Sequence, residues 1–274
     1  MNSSANSTLQ VASGAAMIAV ETAGSGLPVV FLHANVCDRR MWRAQLDASG
    51  TDYQAIAYDR RGFGETRAQA QDHSAVADLI AVIDATAGST PVILAGCSQG
   101  ANIALNATLM HPARVRGLLL ISPTVNGAPA PVYPPEILEM VARQRQAESA
   151  ADLALVNEIK AEMFLDGPLA DPGRVTGESR RLFLHMSAIA LAAAPFGTNC
   201  DDMEAFARLE TISVPASVIC GELDFPHIQE RARMVARLLP NAQGHALADV
   251  AHLAGLEQPD EVNGLLKDLV NRCT

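Results

Sequence analysis

The chain has 274 residues, of which 49% are hydrophobic and 18% charged, with a formal net charge of −10, so it is long enough for one large α/β domain with a sizeable buried core. Its basic residues are scattered rather than clustered, which excludes nucleic acid and anionic membrane as expected partners. Five cysteines at wide, irregular spacing (Cys37, Cys97, Cys200, Cys220, Cys273) suit neither a disulfide framework nor a zinc site, and the expected compartment is a reducing cytoplasm. Residues 1–24 carry no Lys or Arg, and the apolar run from Val11 to Val20 is broken by Ser13 and Gly14. We therefore expect no signal peptide and no transmembrane span.

Residues 1–7 read as a frayed polar tail. Leu9–Val11 and Met17–Thr22 predict a hairpin around Gly14, followed by a turn at Gly24–Gly26 and a buried strand over Leu27–Leu32. A further strand is predicted over Tyr53–Tyr58, and an amphipathic helix over Ala75–Thr86. Pro91 then opens a short apolar run rich in β-branched residues, which predicts another buried strand. After it come Gly96-Cys97-Ser98-Gln99-Gly100 and a helix from Ala101 to His111, so Ser98 falls in a strand-to-helix turn. A nucleophile in so sharp a turn is backbone-strained, and its neighbours two residues away must lack bulk for strand and helix to approach.

This strand, G-x-S-x-G turn and helix resemble the nucleophile elbow of the α/β-hydrolase superfamily. Asp59-Arg60-Arg61-Gly62-Phe63-Gly64-Glu65-Thr66 is similar to the D-x-R-G-x-G-x-S loop of the same superfamily, with Thr66 in place of Ser and an expected structural role. The loop His33-Ala34-Asn35, running on to Met41 and Trp42, stands where the superfamily usually has His-Gly. The resemblance implies an oxyanion hole made by the backbone N–H groups of Gln99 and Asn35. His33 reads as a structural histidine that pins this loop. Met41 and Trp42 open the next helix and either border the substrate cavity or pack in the core.

Val115–Ser122 predicts the next buried strand. From Pro123 the pattern changes: a proline-rich entry leads to helical periodicity over Glu136–Ala147, Ala151–Leu165 and Ser179–Ala193, with a shorter piece at Asp201–Leu209. The resemblance identifies this as the cap of capped α/β-hydrolases, giving a core of residues 1–123 and 212–274 and a helical cap over 124–211. Within the cap, Met140, Met163, Phe164, Phe183 and Met186 are candidates for the substrate wall. Strands over Val214–Cys220 and Gln243–Ala248 and helices over Glu230–Leu239 and Pro259–Val270 complete the chain. The fold class expected is α/β: a mostly parallel central sheet with helices on both faces and an all-helical cap insertion.

A serine hydroxyl needs a base, and the base needs an orienting group. The superfamily's order of serine, acid and histidine points to Asp224, after the strand ending at Cys220, and to His252, after the last strand. Glu222 and Asp249 compete for the acid role; His245 falls within a strand, and His227 faces the cap. The seven histidines are dispersed without metal-ligand spacing, and no G-x-G-x-x-G opens a helix, so no metal or cofactor is indicated.

The reading is a serine hydrolase of a small, mainly apolar ester or lactone. Serine at the elbow sets the chain apart from the dehalogenases and epoxide hydrolases of the fold, which use Asp there. Two alternatives stay open: a carbon–carbon bond hydrolase, against which Cys97 counts because those enzymes usually place Asn before the nucleophile, and a small-molecule receptor with vestigial turnover. A homodimer is compatible with the sequence.

Overall fold

The computed structural model describes residues 7–274. Of the expected polar tail, residues 1–6 lie outside the described residues, and Ser7 already belongs to a strand. The described residues build one nine-stranded sheet from β1 (Ser7–Ser13), β2 (Ala16–Gly24), β3 (Leu27–Leu32), β4 (Tyr53–Tyr58), β5 (Arg67–Ala68), β6 (Val92–Cys97), β7 (Val115–Ile121), β8 (Ala216–Gly221) and β9 (Ala242–Leu247). The spatial order is β1-β2-β4-β3-β6-β7-β8-β9, with the two-residue β5 paired to β2. From β4 to β9 every neighbouring pair is parallel, whereas the β1–β2 hairpin joins the edge antiparallel.

Parallel strands are covered on both faces and so read as continuous apolar runs. Accordingly, β6 and β8 are buried at every residue. One face of the sheet packs against α2 (Ala75–Ala87), α3 (Gln99–Met110) and α7 (Pro226–Leu238), the other against α1 (Arg43–Asp47) and α9 (Pro259–Cys273). Ser74 caps α2 by accepting the Ala77 N–H at 2.9 Å. Between β7 and β8 lies the helical insertion, with α4 (Pro135–Ser149), α5 (Leu153–Ala161) and α6 (Gly177–Leu191) packed in series. The periodicity over Ala151–Leu165 resolves into two pieces: Asp152 caps α5 through the Leu155 N–H at 3.0 Å, and a π-helical turn, Glu162–Asp166, follows it. The sequence pattern also did not single out the short α8 (Ala254–Glu257) or β5.

The chain leaves β3 toward β4 on one side, and β6 returns on the other side of β3. Reversals of this kind open a crevice at the carboxyl ends of the two strands. The His33-Ala34-Asn35 loop follows β3 and Ser98 follows β6, so the fold sets both sequence candidates at the mouth of one crevice.

Candidate active site

Ser98 sits between β6 and α3 with φ 54° and ψ −116°, a region that costs a non-glycine residue energy and persists only where the surroundings over-determine it. Here they do. The Ser98 N–H donates to the Ile121 carbonyl at 2.9 Å, and the Ser98 carbonyl accepts from Ala101 and Asn102 at 3.0 and 3.2 Å. A Cβ on Gly96 would come within 2.5 Å of the Gly100 backbone, and one on Gly100 within 2.2 Å of the Leu32 carbonyl oxygen. Both glycines are therefore required by close approach, for the reason the spacing implied.

Asp224 follows β8 and is 2% exposed, as is His252. Its carboxylate oxygens lie 2.9 and 3.0 Å from His252 Nδ1, and Oδ1 also accepts the Phe225 N–H at 2.7 Å. The competing carboxylates Glu222 and Asp249 are both exposed. His252 Nε2 is buried and has no hydrogen-bond partner among the described residues, and His252 lines the same cavity as Ser98. The Ser98 to His252 hydrogen bond is thus not closed in this state; such contacts are often long in a free site and tighten with substrate.

Asn35 and Gln99 line that cavity beside Ser98. Among the described residues, no acceptor pairs with either backbone N–H, which leaves two donors free to face a developing oxyanion. His33, fully buried, holds this loop: its Nδ1 lies 2.8 Å from the Ala34 carbonyl oxygen and its Nε2 accepts the Arg60 N–H at 3.0 Å. Burial, with the Arg60 charge beside it, pushes His33 well below the ordinary histidine range, so the ring stays neutral and structural. The Asp59 loop plays its expected role: Asp59 accepts from the Arg39 and Glu65 N–H groups at 2.8 and 2.7 Å, and Arg61 pairs with buried Asp78.

Residues 29–265 match the alpha/beta hydrolase family. The chain belongs to that family. Among its relatives is the AB hydrolase superfamily protein YisY of Bacillus subtilis, 26% identical, with 92% of this chain and 94% of the relative aligned. Epoxide hydrolase 1 of Siraitia grosvenorii is 39% identical, but over 38% of this chain and 34% of its own length. Among solved structures, an esterase from Thermogutta terrifontis superposes with a TM-score of 0.73 at 23% identity over 97% of this chain and 99% of its own. An N-acyl homoserine lactone degrading enzyme superposes with a TM-score of 0.71 at 25% identity over 95% of this chain and 99% of its own.

In this hydrolase the cavity beside Ser98 measures about 270 Å³. Of the wall residues expected from the cap, Met163 and Phe164 line it. Both sit on the π-helical turn, a distortion frequent at functional sites. The Phe164 ring lies 5.3 Å from the His252 ring, edge-on, and 5.4 Å from Phe225. The remaining candidates are corrected by the structure. Met41 and Trp42 are 1% and 0% exposed and pack in the core, Trp42 against Phe31 at 5.1 Å between ring centroids. Phe183 and Met186 lie one turn apart on α6 and are likewise buried in that core. Met140 packs against the opposite core cluster, and its neighbour Val141, about 100° further round α4, lines the cavity instead.

Sequence reasoning did not name Tyr133, Phe225 or Ile228 as wall residues, although all three line the cavity. Phe225 had a signal, its position directly after Asp224. Tyr133 lies in the proline-rich entry and stacks edge-on against His227 at 5.1 Å. Burial, followed by the nearby Arg231 charge, holds His227 down at about 4, so this wall histidine is neutral at pH 7. A larger groove of about 540 Å³ between α7 and β9 contains neither Ser98 nor His252. Among the described residues no helix is long and apolar enough to cross a membrane.

Proposed function

We propose that this hydrolase cleaves a carboxylic ester or lactone of a small, mainly apolar substrate through an acyl-enzyme on Ser98. The observation that carries the reading is the orientation of His252: Nδ1 is held by buried Asp224, while Nε2 is unpartnered in the cavity that Ser98 also lines. In this scheme Nε2 takes the Ser98 proton as Oγ attacks the carbonyl, and the Asn35 and Gln99 N–H groups stabilise the resulting oxyanion. His252 then gives the proton to the leaving alcohol, and water repeats the sequence in reverse to release the acid.

The aromatic and aliphatic wall of Phe164, Phe225, Val141 and Met163 favours an apolar substrate portion. The lactone-degrading structural neighbour at 25% identity adds support for a lactone or ester. Several relatives are named epoxide hydrolases, yet serine at position 98 supports acyl transfer: an alkoxide formed on Oγ attacks a trigonal carbonyl whose charge the two N–H donors can receive. Fluorophosphonate labelling together with p-nitrophenyl ester turnover tests the reading. Stoichiometric labelling of Ser98 with a burst of p-nitrophenolate is expected. Labelling without turnover would favour a receptor, and absence of both would remove Ser98 as nucleophile.

A further inference from the structure

We propose that the polar cavity on the Arg60 side of Ser98 binds a carboxylate carried by the substrate. The proposal extends the Ser98 mechanism to a substrate class and rests on that mechanism only for where the ester bond lies. This second cavity, about 470 Å³, shares Asn35 and Gln99 as walls with the cavity beside Ser98. The two cavities therefore adjoin at the very residues that supply the oxyanion donors, which places a group bound in the second beside the reacting carbonyl.

The charge of this cavity is set by few groups. Arg61 and Asp78 both line it but neutralise each other in a buried pair at 2.8 Å. His73 also lines it, next to Phe196 at 5.9 Å between ring centroids. Arg60 is what remains. Around the site Arg39, Arg40, Arg43 and Arg61 each pair with a carboxylate. Among the described residues Arg60 has no carboxylate partner. Its guanidinium stacks 4.8 Å from the Phe63 ring centroid and donates through Nη2 to Asn35 Oδ1 at 2.8 Å. Its Nε is buried without a partner, and Nη1 makes no protein hydrogen bond among the described residues.

Leaving a partly buried cation without a counter-charge is costly, and a bound anion would offset that cost. The cost is visible in Arg60 itself, which burial lowers to about 10, still cationic at pH 7. One uncompensated positive charge matches a monoanion. The planar donor fork of arginine suits a carboxylate.

Two matched ester pairs test this without assuming which side of the ester enters the cavity: p-nitrophenyl hydrogen glutarate against p-nitrophenyl pentanoate, and 3-carboxyphenyl butyrate against phenyl butyrate. The measured quantity is the ratio of anionic to neutral kcat/KM for the wild type, Arg60→Lys and Arg60→Met. In one pair the ratio should fall about 10- to 100-fold in Arg60→Met, the loss expected for a charge-assisted hydrogen bond. Arg60→Lys should restore part of it, and the wild-type ratio should shrink as salt rises from about 50 to 500 mM. Calorimetric binding of butyrate to the wild type, lost in Arg60→Met, supplies a readout free of turnover. Should Arg60→Met fail to fold, Arg60→Gln and Arg60→Lys carry the same comparison. Equal ratios in all proteins for both pairs, with butyrate binding unaltered, would overturn the proposal. Absence of any ester turnover or Ser98 labelling would instead overturn the serine mechanism, and the butyrate measurement would still decide the role of Arg60.

Discussion

Glu257 grips the backbone on both sides of His252: its carboxylate accepts the Ala251 N–H at 3.0 Å and the Leu253 N–H at 3.1 Å. Arg174, from the cap insertion, closes the arrangement by pairing with Glu257 and donating to the Leu165 and Asp166 carbonyls. One buried carboxylate thus ties the imidazole loop to the π-helical turn that carries Phe164. Burial raises Glu257 above the usual carboxylate range, with Arg174 pulling the other way.

Glu257→Ala leaves two buried N–H groups and the Arg174 charge without their acceptor. It should cost about 3 kcal/mol of unfolding free energy, read from the urea midpoint. Because His252 loses its backbone clamp, kcat should fall by about tenfold or more while KM moves little. Glu257→Gln, which keeps one acceptor oxygen, should fall between the two. An unchanged kcat in Glu257→Ala would mean that Asp224 alone fixes the ring.

Ser98→Ala and His252→Ala should each lower kcat by about 1,000-fold or more, and the double variant should lose little beyond either single one, because the two groups act in one proton transfer. Steady-state kinetics on all three proteins checks this. A double loss equal to the product of the single losses would contradict a shared step. Asp224→Asn should be milder than Ser98→Ala if the carboxylate chiefly orients the imidazole.

Much of this arrangement is legible in the sequence. The predicted strands over Leu27–Leu32 and Tyr53–Tyr58 coincide with the observed ones, because strands buried on both faces leave unbroken apolar runs bounded by turns. The spacing of Gly96 and Gly100 around Ser98 is legible because a sharp strand-to-helix turn leaves no room for a Cβ: Gly96 closes on the Gly100 backbone four residues on, and Gly100 on Leu32 of the neighbouring strand. What the sequence leaves hidden depends on packing across the chain. Met140 and Val141 are indistinguishable by type, and only the rotation of α4 over the core decides which one meets the cavity. The π-helical turn at Glu162–Asp166 looks like continued helix, and the Arg174 side chain that binds its Leu165 and Asp166 carbonyls, itself paired with the distant Glu257, leaves no mark in the local pattern. Arg60 likewise reads as one arginine of a pair until Arg61 is seen to take Asp78.

The wall assignment predicts which positions set substrate length. Each substrate methylene buried in the cavity contributes at most about 0.8 kcal/mol, roughly fourfold in kcat/KM, until the space is full. Met163→Ala and Phe164→Ala should move the optimum of a p-nitrophenyl ester series toward longer acyl chains. Met41→Ala and Trp42→Ala should leave the optimum in place and destabilise by about 2–5 kcal/mol, the cost of a core cavity. An optimum that shifts with Trp42 and not with Phe164 would transfer selectivity from the cap to the core.

His227 gives a pH prediction whose sign is fixed by burial. Its folded value of about 4 lies below the ordinary value of about 6.5, so between these limits the unfolded chain binds more protons than the native one. Stability from this group is then complete above about pH 6.5 and is lost as pH falls toward 4. The slope is at most about 1.4 kcal/mol per pH unit for one proton, less here because the ring is only half-buried. His33, lowered in the same direction by burial, adds to the loss. Asp59, raised to about 6 mainly by burial, acts oppositely, since its folded form takes up a proton more readily than the unfolded chain. The total profile therefore mixes signs, and the informative quantity is the difference between wild type and His227→Gln. Urea midpoints at pH 7 and pH 4.5 should drop less in His227→Gln than in the wild type. An equal drop in the two proteins would show that the ring of His227 takes up its proton as easily in the folded wall, beside Tyr133 and Phe225, as it does in water.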